Sequence, residues 1–159
     1  MSRRIKAFLD TNILVDVLSI APRPNSEASR LIVQAICDEQ IEGAISTQSI
    51  MDAAFILSRF PGFSKERFNQ SLLWLNNYVN IYTIDMVNIR NAIRHPGNDF
   101  EDDVHYAFAV STACDVIVTG DKGFLARSQE EGYPEIPCLS PQAFAARLTA
   151  QTSAQQAPA

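Results

Sequence analysis

The stretch "AFLDTNILVD", residues 7–16, predicts how this chain folds, because a strand passes directly into a helix there. Residues 7–9 are typical of the end of a buried strand, and the apolar residues after Asn12 recur at helical spacing. Asp10 stands at the junction between them. A buried carboxylate costs free energy unless hydrogen bonds or a cation compensate it. The stretch therefore predicts a strand–helix unit with one carboxylate whose position needs an explanation.

The same alternation of strand and helix continues along the chain. Strand-like apolar runs recur, with helical patterns between them, at residues 4–9, 41–46, 79–84, 115–121 and 135–140. This order is typical of an α/β fold with helices on both faces of the sheet. We therefore predict a three-layer α/β/α sandwich around a central, mostly parallel sheet. It would form one domain over residues 1–148, followed by a small, polar tail, 149–159, that is expected to be disordered.

Composition narrows the class of protein. The chain has 159 residues, 47% of them hydrophobic, which suits one domain with a core of its own. The net charge of −5 argues against a broad basic face for nucleic acid. It leaves room for a nucleic-acid substrate, because divalent cations offset clustered carboxylates. Three cysteines without CxxC spacing, no signal-peptide pattern and no membrane-length apolar run lead us to expect a cytoplasmic protein without membrane contact.

Two acids far apart in the sequence are expected at one edge of the sheet. Asp10 ends the first predicted strand, and Asp121 lies just past the strand "VIVT". In an open α/β sheet, ligands bind outside the carboxyl ends of the strands. Both carboxylates would therefore face the place where such a protein holds its ligand.

A third acidic group, "NDFEDD" at residues 98–103, opens a late helix that we expect to begin at Phe100. Asp102 and Asp103 each head a row of side chains that is expected to pack. The opposite surface is expected to face solvent and carries Glu101, His105 and Thr112.

Each acid also has a purely structural explanation. Asp10 could cap the helix that begins at Thr11, Asp99 and Asp102 could serve as a cap and a dipole partner, and Asp121 could be a turn residue. Taken together, the structural explanations are less convincing, because the acids are expected at one edge of the sheet and carboxylates this close repel each other unless a cation lies between them. Mg²⁺ or Mn²⁺ suits such oxygen ligands, whereas no His/Cys cluster indicates zinc. Without a dinucleotide motif or a P-loop, the pattern favours metal-assisted phosphodiester hydrolysis.

Three segments in this order, "FLDTNILVD", "DFEDDVHYAFA" and "DVIVTGDKGF", resemble the PIN domain family, most closely its VapC-type toxin ribonucleases. The resemblance covers roughly residues 4–146. It implies a Mg²⁺- or Mn²⁺-dependent endoribonuclease, the toxin of a type II toxin–antitoxin pair. By position in the motifs, the metal-binding and catalytic acids would be Asp10, Asp102 and Asp121, and Asn12 and Thr119 would support the site or contact substrate.

One position departs from the family pattern. PIN domains usually carry a glutamate in the helix after the second strand, and here the only acid in that segment is Asp52. Asp52 could hold the metal through water, or Asp99 or Glu101 could supply the missing charge. Alternatively, Asp52 is a polar residue on the outer face of its helix.

The resemblance also implies partners. RNA would be steered by cations near the acidic edge, for which Lys122, Arg127 and Arg4 are candidates. An antitoxin protein would cover that edge. A homodimer would form through the segments 50–60 and 68–79, with Phe63 and Trp74 as anchors or as core residues.

Two alternatives stay open at this point. A catalytically decayed PIN-like module would bind RNA or protein without cutting, and the substitution at Asp52 motivates it. A structure-specific DNA nuclease is the other, although such relatives usually carry more acids and insertions than this short chain.

Overall fold

The structure, a computed structural model, describes residues 3–95, 97, 99–127 and 136–156. Strands and helices alternate along these residues as the sequence predicts. The strands are β1 Lys6–Leu9, β2 Glu42–Ser46, β3 Val79–Tyr82, β4 Val116–Val118 and β5 Cys138–Leu139. The helices are α1 Thr11–Leu18, α2 Ser26–Cys37, α3 Thr47–Leu57, α4 Lys65–Leu75, α5 Met86–Arg94, α6 Phe100–Ser111, α7 Lys122–Arg127 and α8 Pro141–Gln156.

All five strands lie parallel in one sheet, in the order β3-β2-β1-β4-β5. Alternate residues of the central strand enter different apolar clusters. Leu9 packs in the cluster with α2 and α8, whereas Phe8 packs with Phe108 of α6 and Phe124 of α7. Because strand side chains alternate between the two faces of a sheet, helices cover both faces. The predicted α/β/α sandwich is confirmed, and its sheet is wholly parallel.

The sheet order places the carboxyl ends of β1 and β4 side by side. β4 pairs with β1 from Ala7 opposite Val116 to Leu9 opposite Val118. The ladder continues one residue further, since the backbone N–H of Asp10 donates to the carbonyl of Val118 at 3.0 Å. Chain segments that are more than 100 residues apart in sequence therefore leave the sheet at the same point.

Two details differ from the sequence expectations. The short helix α7 follows β4 directly, where only a turn was expected. Helix α8 continues to Gln156, so it occupies most of the segment 149–159 in which disorder was expected. Residues 157–159 lie outside the described residues, and the domain boundary at residue 148 stays a prediction. None of the helices described is both long and apolar enough to cross a membrane.

Candidate active site

A cavity of about 410 Å³ opens at the carboxyl ends of β1 and β4. Its lining holds the three acids that the sequence places in the site, together with all three of the additional candidates. These six carboxylates are Asp10, Asp52, Asp99, Glu101, Asp102 and Asp121. The structure therefore brings every acid that was considered for metal binding to one cavity.

Asp10 is buried at the centre of this arrangement, with donors on both of its carboxylate oxygens. Oδ1 accepts a hydrogen bond from the backbone N–H of Thr11 at 2.7 Å and lies 3.3 Å from Nδ1 of His105. Oδ2 accepts from Oγ1 of Thr119 at 2.7 Å and from Nδ2 of Asn12 at 3.0 Å. Asp10 therefore also caps α1, which was the purely structural explanation for this residue. A cap alone does not require the other three donors.

His105 contradicts the expectation that it faces solvent. Its side chain is only 2% exposed, and its ring packs edge-on against Phe8 of β1 with the centroids 5.4 Å apart. The spacing on α6 contained a signal for this position. His105 lies three residues after Asp102 and three before Phe108, so all three share the inner face of the helix.

Burial and charge act in opposite directions on the Asp10–His105 pair. Burial alone would raise the pKa of Asp10, but the hydrogen bond and charge of His105, with the bonds from Thr119 and Thr11, bring it below its usual value. Burial would lower the pKa of His105, yet the Asp10 carboxylate, aided by Glu101 and Asp102, raises it. Both shifts favour the charged pair, carboxylate beside imidazolium.

Asn12 and Thr119 join Asp10 to the turn after β4. The Asn12 amide oxygen accepts from the backbone N–H of Gly120 at 2.7 Å, and Thr119 Oγ1 accepts from the N–H of Asp121 at 3.0 Å. A Cβ at Gly120 would lie 3.2 Å from that Asn12 oxygen, so only glycine fits there without displacing it. These two side chains therefore fix the orientation of Asp10, and a substrate contact for either stays a prediction.

The acids at the helix starts also act as caps. Asp99 Oδ1 accepts from the N–H groups of Glu101 and Asp102 at the start of α6. Asp121 Oδ1 accepts from the N–H of Phe124 at 3.0 Å and so caps α7. Asp103 differs from these, because it is buried away from the cavity and accepts from the N–H of Gly97. Capping and lining the cavity are thus compatible roles for the same carboxylate.

Asp52 faces the cavity rather than the outer surface of α3. It is half-buried and accepts a hydrogen bond from Nε2 of Gln48 at 2.8 Å. The negative charge of Asp52 also affects the pKa of Glu101. The pKa of Glu101 is raised first by burial and then by the carboxylates of Asp52, Asp10 and Asp99, against an opposing effect of His105. Like charges therefore meet in this cavity.

The donor set suits a hydrated divalent cation. Carboxylate oxygens are the ligands that Mg²⁺ prefers, and Mg²⁺ usually keeps several waters and takes one or two carboxylates from the protein. In the described part of the chain, no three His, Cys, Asp or Glu side chains are placed to hold one ion in common. An ion coordinated by a pair of these acids and by water matches both observations, and the 410 Å³ cavity has room for that water.

Cations are scarce around this cavity. Among the described residues that line it, Arg23 is the one lysine or arginine, and no sequence pattern singled it out. Lys122 is exposed at the start of α7, next to Asp121. Arg4 was expected near the acidic edge but precedes β1, where it pairs with Glu39 and Glu42 at the other end of the strand. The side chain of Arg127 lies outside the described residues.

The two aromatic residues considered as anchors have different environments. Phe63 is half-buried and lines a separate apolar cavity of about 180 Å³ with Phe60 and Phe68. Trp74 is 48% exposed and packs against Tyr78 with the ring centroids 5.0 Å apart. Trp74 is therefore a surface residue, whereas Phe63 packs at the edge of the core.

Comparisons with known proteins agree with this fold. A family model described as "PIN domain" matches residues 6–123. The PAE2754 protein of Pyrobaculum aerophilum shares the fold with a TM-score of 0.59 at 18% identity, over 92% of this chain and 97% of its own. VapC20 of Mycobacterium tuberculosis, described as a sarcin–ricin loop cleaving toxin, gives 0.60 at 14% identity, over 79% and 97%.

A third similar structure is VapBC2 of Rickettsia felis bound to a fragment of its promoter DNA. It has a TM-score of 0.58 at 16% identity, over 86% of this chain and 98% of that one. At such identities the likeness shows the fold alone. A search of curated protein sequences finds no significant match.

Proposed function

The chain belongs to the PIN domain family, and from this premise we propose that it is a Mg²⁺- or Mn²⁺-dependent endoribonuclease, the toxin of a type II toxin–antitoxin pair. The observation that carries the proposal is the single cavity lined by six carboxylates at the carboxyl ends of β1 and β4. The descriptions of the similar structures support RNA as the substrate class, because VapC20 is named as a toxin that cleaves the sarcin–ricin loop.

In this proposal Asp10 is the fixed anion of the site. A pair of the acids Asp10, Asp102 and Asp121 would coordinate the cation directly, and the third would hold it through water. When bound, the Mg²⁺ or Mn²⁺ ion would activate water for attack on the phosphodiester and neutralise charge on the phosphate. Asp52, Asp99 and Glu101 add negative charge on the same cavity wall and so strengthen its attraction for the cation.

The chain's own hydrogen bonds prepare the site before any ligand arrives. Asn12 and Thr119 hold the Asp10 carboxylate and the backbone at Gly120 and Asp121 in one network. A preorganised site loses little free energy to ordering when substrate binds. Lys122, exposed beside Asp121, would attract a phosphate of the substrate to the mouth of the cavity.

The decisive experiment incubates protein free of any antitoxin with structured RNA and Mn²⁺ or Mg²⁺. A variant carrying both Asp10→Asn and Asp121→Asn runs beside it. We expect cleavage by the wild type that EDTA stops and that the double variant lacks. Cleavage that survives EDTA, or that persists in the variant, would contradict a metal site built on these acids.

A second candidate function is the decayed module, which binds RNA or protein without cutting. Two observations favour it: Asp52 replaces the longer glutamate of the family pattern, and every oxygen of Asp10 already has protein donors. Binding of RNA with no cleavage by the wild type in either metal would support this module over the nuclease.

Two partners belong to the proposal. An antitoxin would cover the cavity and neutralise its charge with a basic side chain.

A second copy of the chain would pack on α3 and α4, where Met51, Phe55 and Leu73 are 66%, 62% and 71% exposed. Large apolar side chains exposed to this degree are candidates for burial against a partner. Sedimentation equilibrium should show a dimer that Leu73→Lys weakens, and a monomeric wild type would exclude the homodimer.

A further inference from the structure

Arg23 is a cationic side chain in a cavity that is otherwise strongly acidic. It lines a cavity whose other charged side chains are six carboxylates and the buried His105, and it lies in the connection between α1 and α2. A surface arginine usually contributes little beyond solubility. Here the side chain is fixed in place, which calls for a more specific role.

Two helices hold Arg23 at several points. Its Nε donates to Oδ1 of Asp16 at 2.7 Å, and Asp16 on α1 is only 2% exposed. The other oxygen of Asp16 accepts from Ser29 of α2 at 3.2 Å. The backbone N–H of Arg23 donates to Oγ of Ser26 at 2.9 Å, and that hydroxyl donates to the carbonyl of Asp16. The guanidinium also lies 5.6 Å from the ring centre of Phe60.

This anchoring leaves the outer part of the guanidinium available. Because Ser29 bonds to the second oxygen of Asp16, Arg23 contacts that carboxylate through Nε rather than through the bidentate fork. Nη1 and Nη2 have no hydrogen-bond partner among the described residues, and 35% of the side chain is exposed. A guanidinium edge with unused donors is thus held rigidly beside the acidic cavity.

We propose that Nη1 and Nη2 of Arg23 form a phosphate subsite, which binds the non-bridging oxygens of a backbone phosphate neighbouring the phosphodiester that is cut. The inference rests on the proposed function, since it assumes that an RNA strand crosses the cavity. Its ligand is a phosphodiester within single-stranded RNA, and Asp16 is the positioning residue for Arg23.

The energetics favour this role. A chain of net charge −5 with six carboxylates around one cavity repels a polyanion, so substrate binding needs a cation at a fixed place. The planar guanidinium matches the paired oxygens of a phosphate. Because Asp16 and Phe60 already order the side chain, little conformational entropy is lost when the phosphate binds.

The test measures RNA binding without cleavage. The background is Asp121→Asn, with a labelled single-stranded RNA at one fixed Mg²⁺ concentration and a series of KCl concentrations. Arg23→Met is compared with Arg30→Met, which removes an exposed arginine of α2 that does not line the cavity. Each phosphate contact contributes about 0.7 to the slope of log K against log salt for single strands.

We expect Arg23→Met to lower the magnitude of that slope by about 0.7 and Arg30→Met to leave it unchanged. Arg23→Lys keeps the charge but loses the paired N–H donors of the guanidinium. The salt dependence of its RNA binding should stay near that of the parent, while its affinity for RNA falls several-fold. Asp16→Asn should behave like Arg23→Lys, because Arg23 remains but is less firmly positioned.

The contrary outcomes are distinct. If Arg23→Met lowers the melting temperature but leaves the affinity and the slope as they are in Arg30→Met, Arg23 only fastens α1 to α2 and the proposal is wrong. No RNA binding by the Asp121→Asn parent at any salt concentration also overturns it. A wild type that binds RNA with the Arg23-dependent slope but never cleaves would contradict the nuclease while supporting the subsite.

Discussion

Asp10 keeps a negative charge inside the protein because the surrounding residues supply donors to both of its oxygens. The sequence located Asp10 correctly, since an acid that ends a buried strand is conspicuous. It did not show that the donors come from residues 11, 12, 105 and 119. Two of these lie more than 90 residues away and depend on which strands are neighbours.

Asp10→Asn should cost stability as well as activity. An amide has one acceptor oxygen, so at least one of the buried donors around position 10 would lose its partner. We expect a loss of about 1–3 kcal/mol in the free energy of unfolding, measured with urea, and no cleavage of RNA.

Asp121→Asn is the matched control. Asp121 is exposed, and the one hydrogen bond that its carboxylate accepts from the described residues, from the N–H of Phe124, can pass to the amide oxygen of asparagine. This variant should lose cleavage with a change in stability of less than about 0.5 kcal/mol. Equal destabilisation by the two substitutions would show that Asp10 is not held by its donors as described.

The Asp10–His105 pair gives stability a defined pH dependence when metal is chelated. The raised pKa of His105 means that its contribution is complete below its unfolded value of about 6.5 and is lost as pH rises through the folded value. The lowered pKa of Asp10 means that its contribution is complete above about 3.8 and is lost as pH falls through the folded value. Urea unfolding in EDTA should therefore show a decline in stability above pH 6.5.

His105→Gln supplies the comparison for that decline. Glutamine keeps an N–H donor for Asp10 but does not titrate, so the part of the decline due to His105 should vanish. A wild type and a variant with the same pH profile above 6.5 would mean that His105 is not charged beside Asp10.

At the scale of elements, the sequence predicted the strands well and the rotation of one helix badly. Apolar runs bounded by polar turns identified all five strands. The signal is most continuous in β1, β2 and β4, whose residues are almost all buried on both faces of the sheet. On α6 the periodicity admitted more than one inner face. His105 was assigned to the outer surface because polar residues usually lie there. Its spacing from Asp102 and Phe108 also allowed the inner face, and its packing on Phe8 shows that it lies there.

Other elements lacked a sequence signal. Helix α7 is six residues long, which is too short for periodicity to reveal. Arg23 lies among prolines in "APRPN" and acquires its place only through Asp16 on the preceding helix. Local sequence patterns therefore do not predict the role of a side chain that is positioned by residues distant in the sequence.

Helix α3 offers a test of how an element positions a site residue. Ser46 Oγ accepts from the N–H of Ser49 at 2.9 Å and caps the helix that carries Asp52. Ser46→Ala should cost about 1–2 kcal/mol in unfolding free energy and should also lower the cleavage rate, since the turn before Asp52 loosens.

Ser64→Ala is the corresponding change at α4, where Ser64 caps a helix without site residues. It should cost about 0.5–1 kcal/mol and leave the cleavage rate unchanged. If both variants cleave RNA equally well, the position of Asp52 has no bearing on catalysis.

For the whole molecule, the concentration of carboxylates at one end predicts stabilisation by divalent cations. A ligand that binds only the folded state stabilises it by RT ln(1 + [L]/Kd), or about 2.7 kcal/mol at a hundred times Kd. Mn²⁺ should therefore raise the melting temperature of the wild type, and much less that of the Asp10→Asn/Asp121→Asn double variant. Potassium chloride at equal ionic strength controls for screening, and equal shifts with both salts would refute a specific site.

The strand order has a consequence for the time at which this protein becomes able to act. Asp10 is synthesised more than 100 residues before Thr119, and β4 must emerge from the ribosome and insert beside β1 before Thr119 can reach Asp10. The nascent chain thus carries Asp10 without Thr119 and Asp121 until β4 has been made and has paired with β1. If the chain is the nuclease we propose, a ribosome-bound chain that has not yet folded β4 beside β1 would be inert towards the message being translated, because its cavity is incomplete.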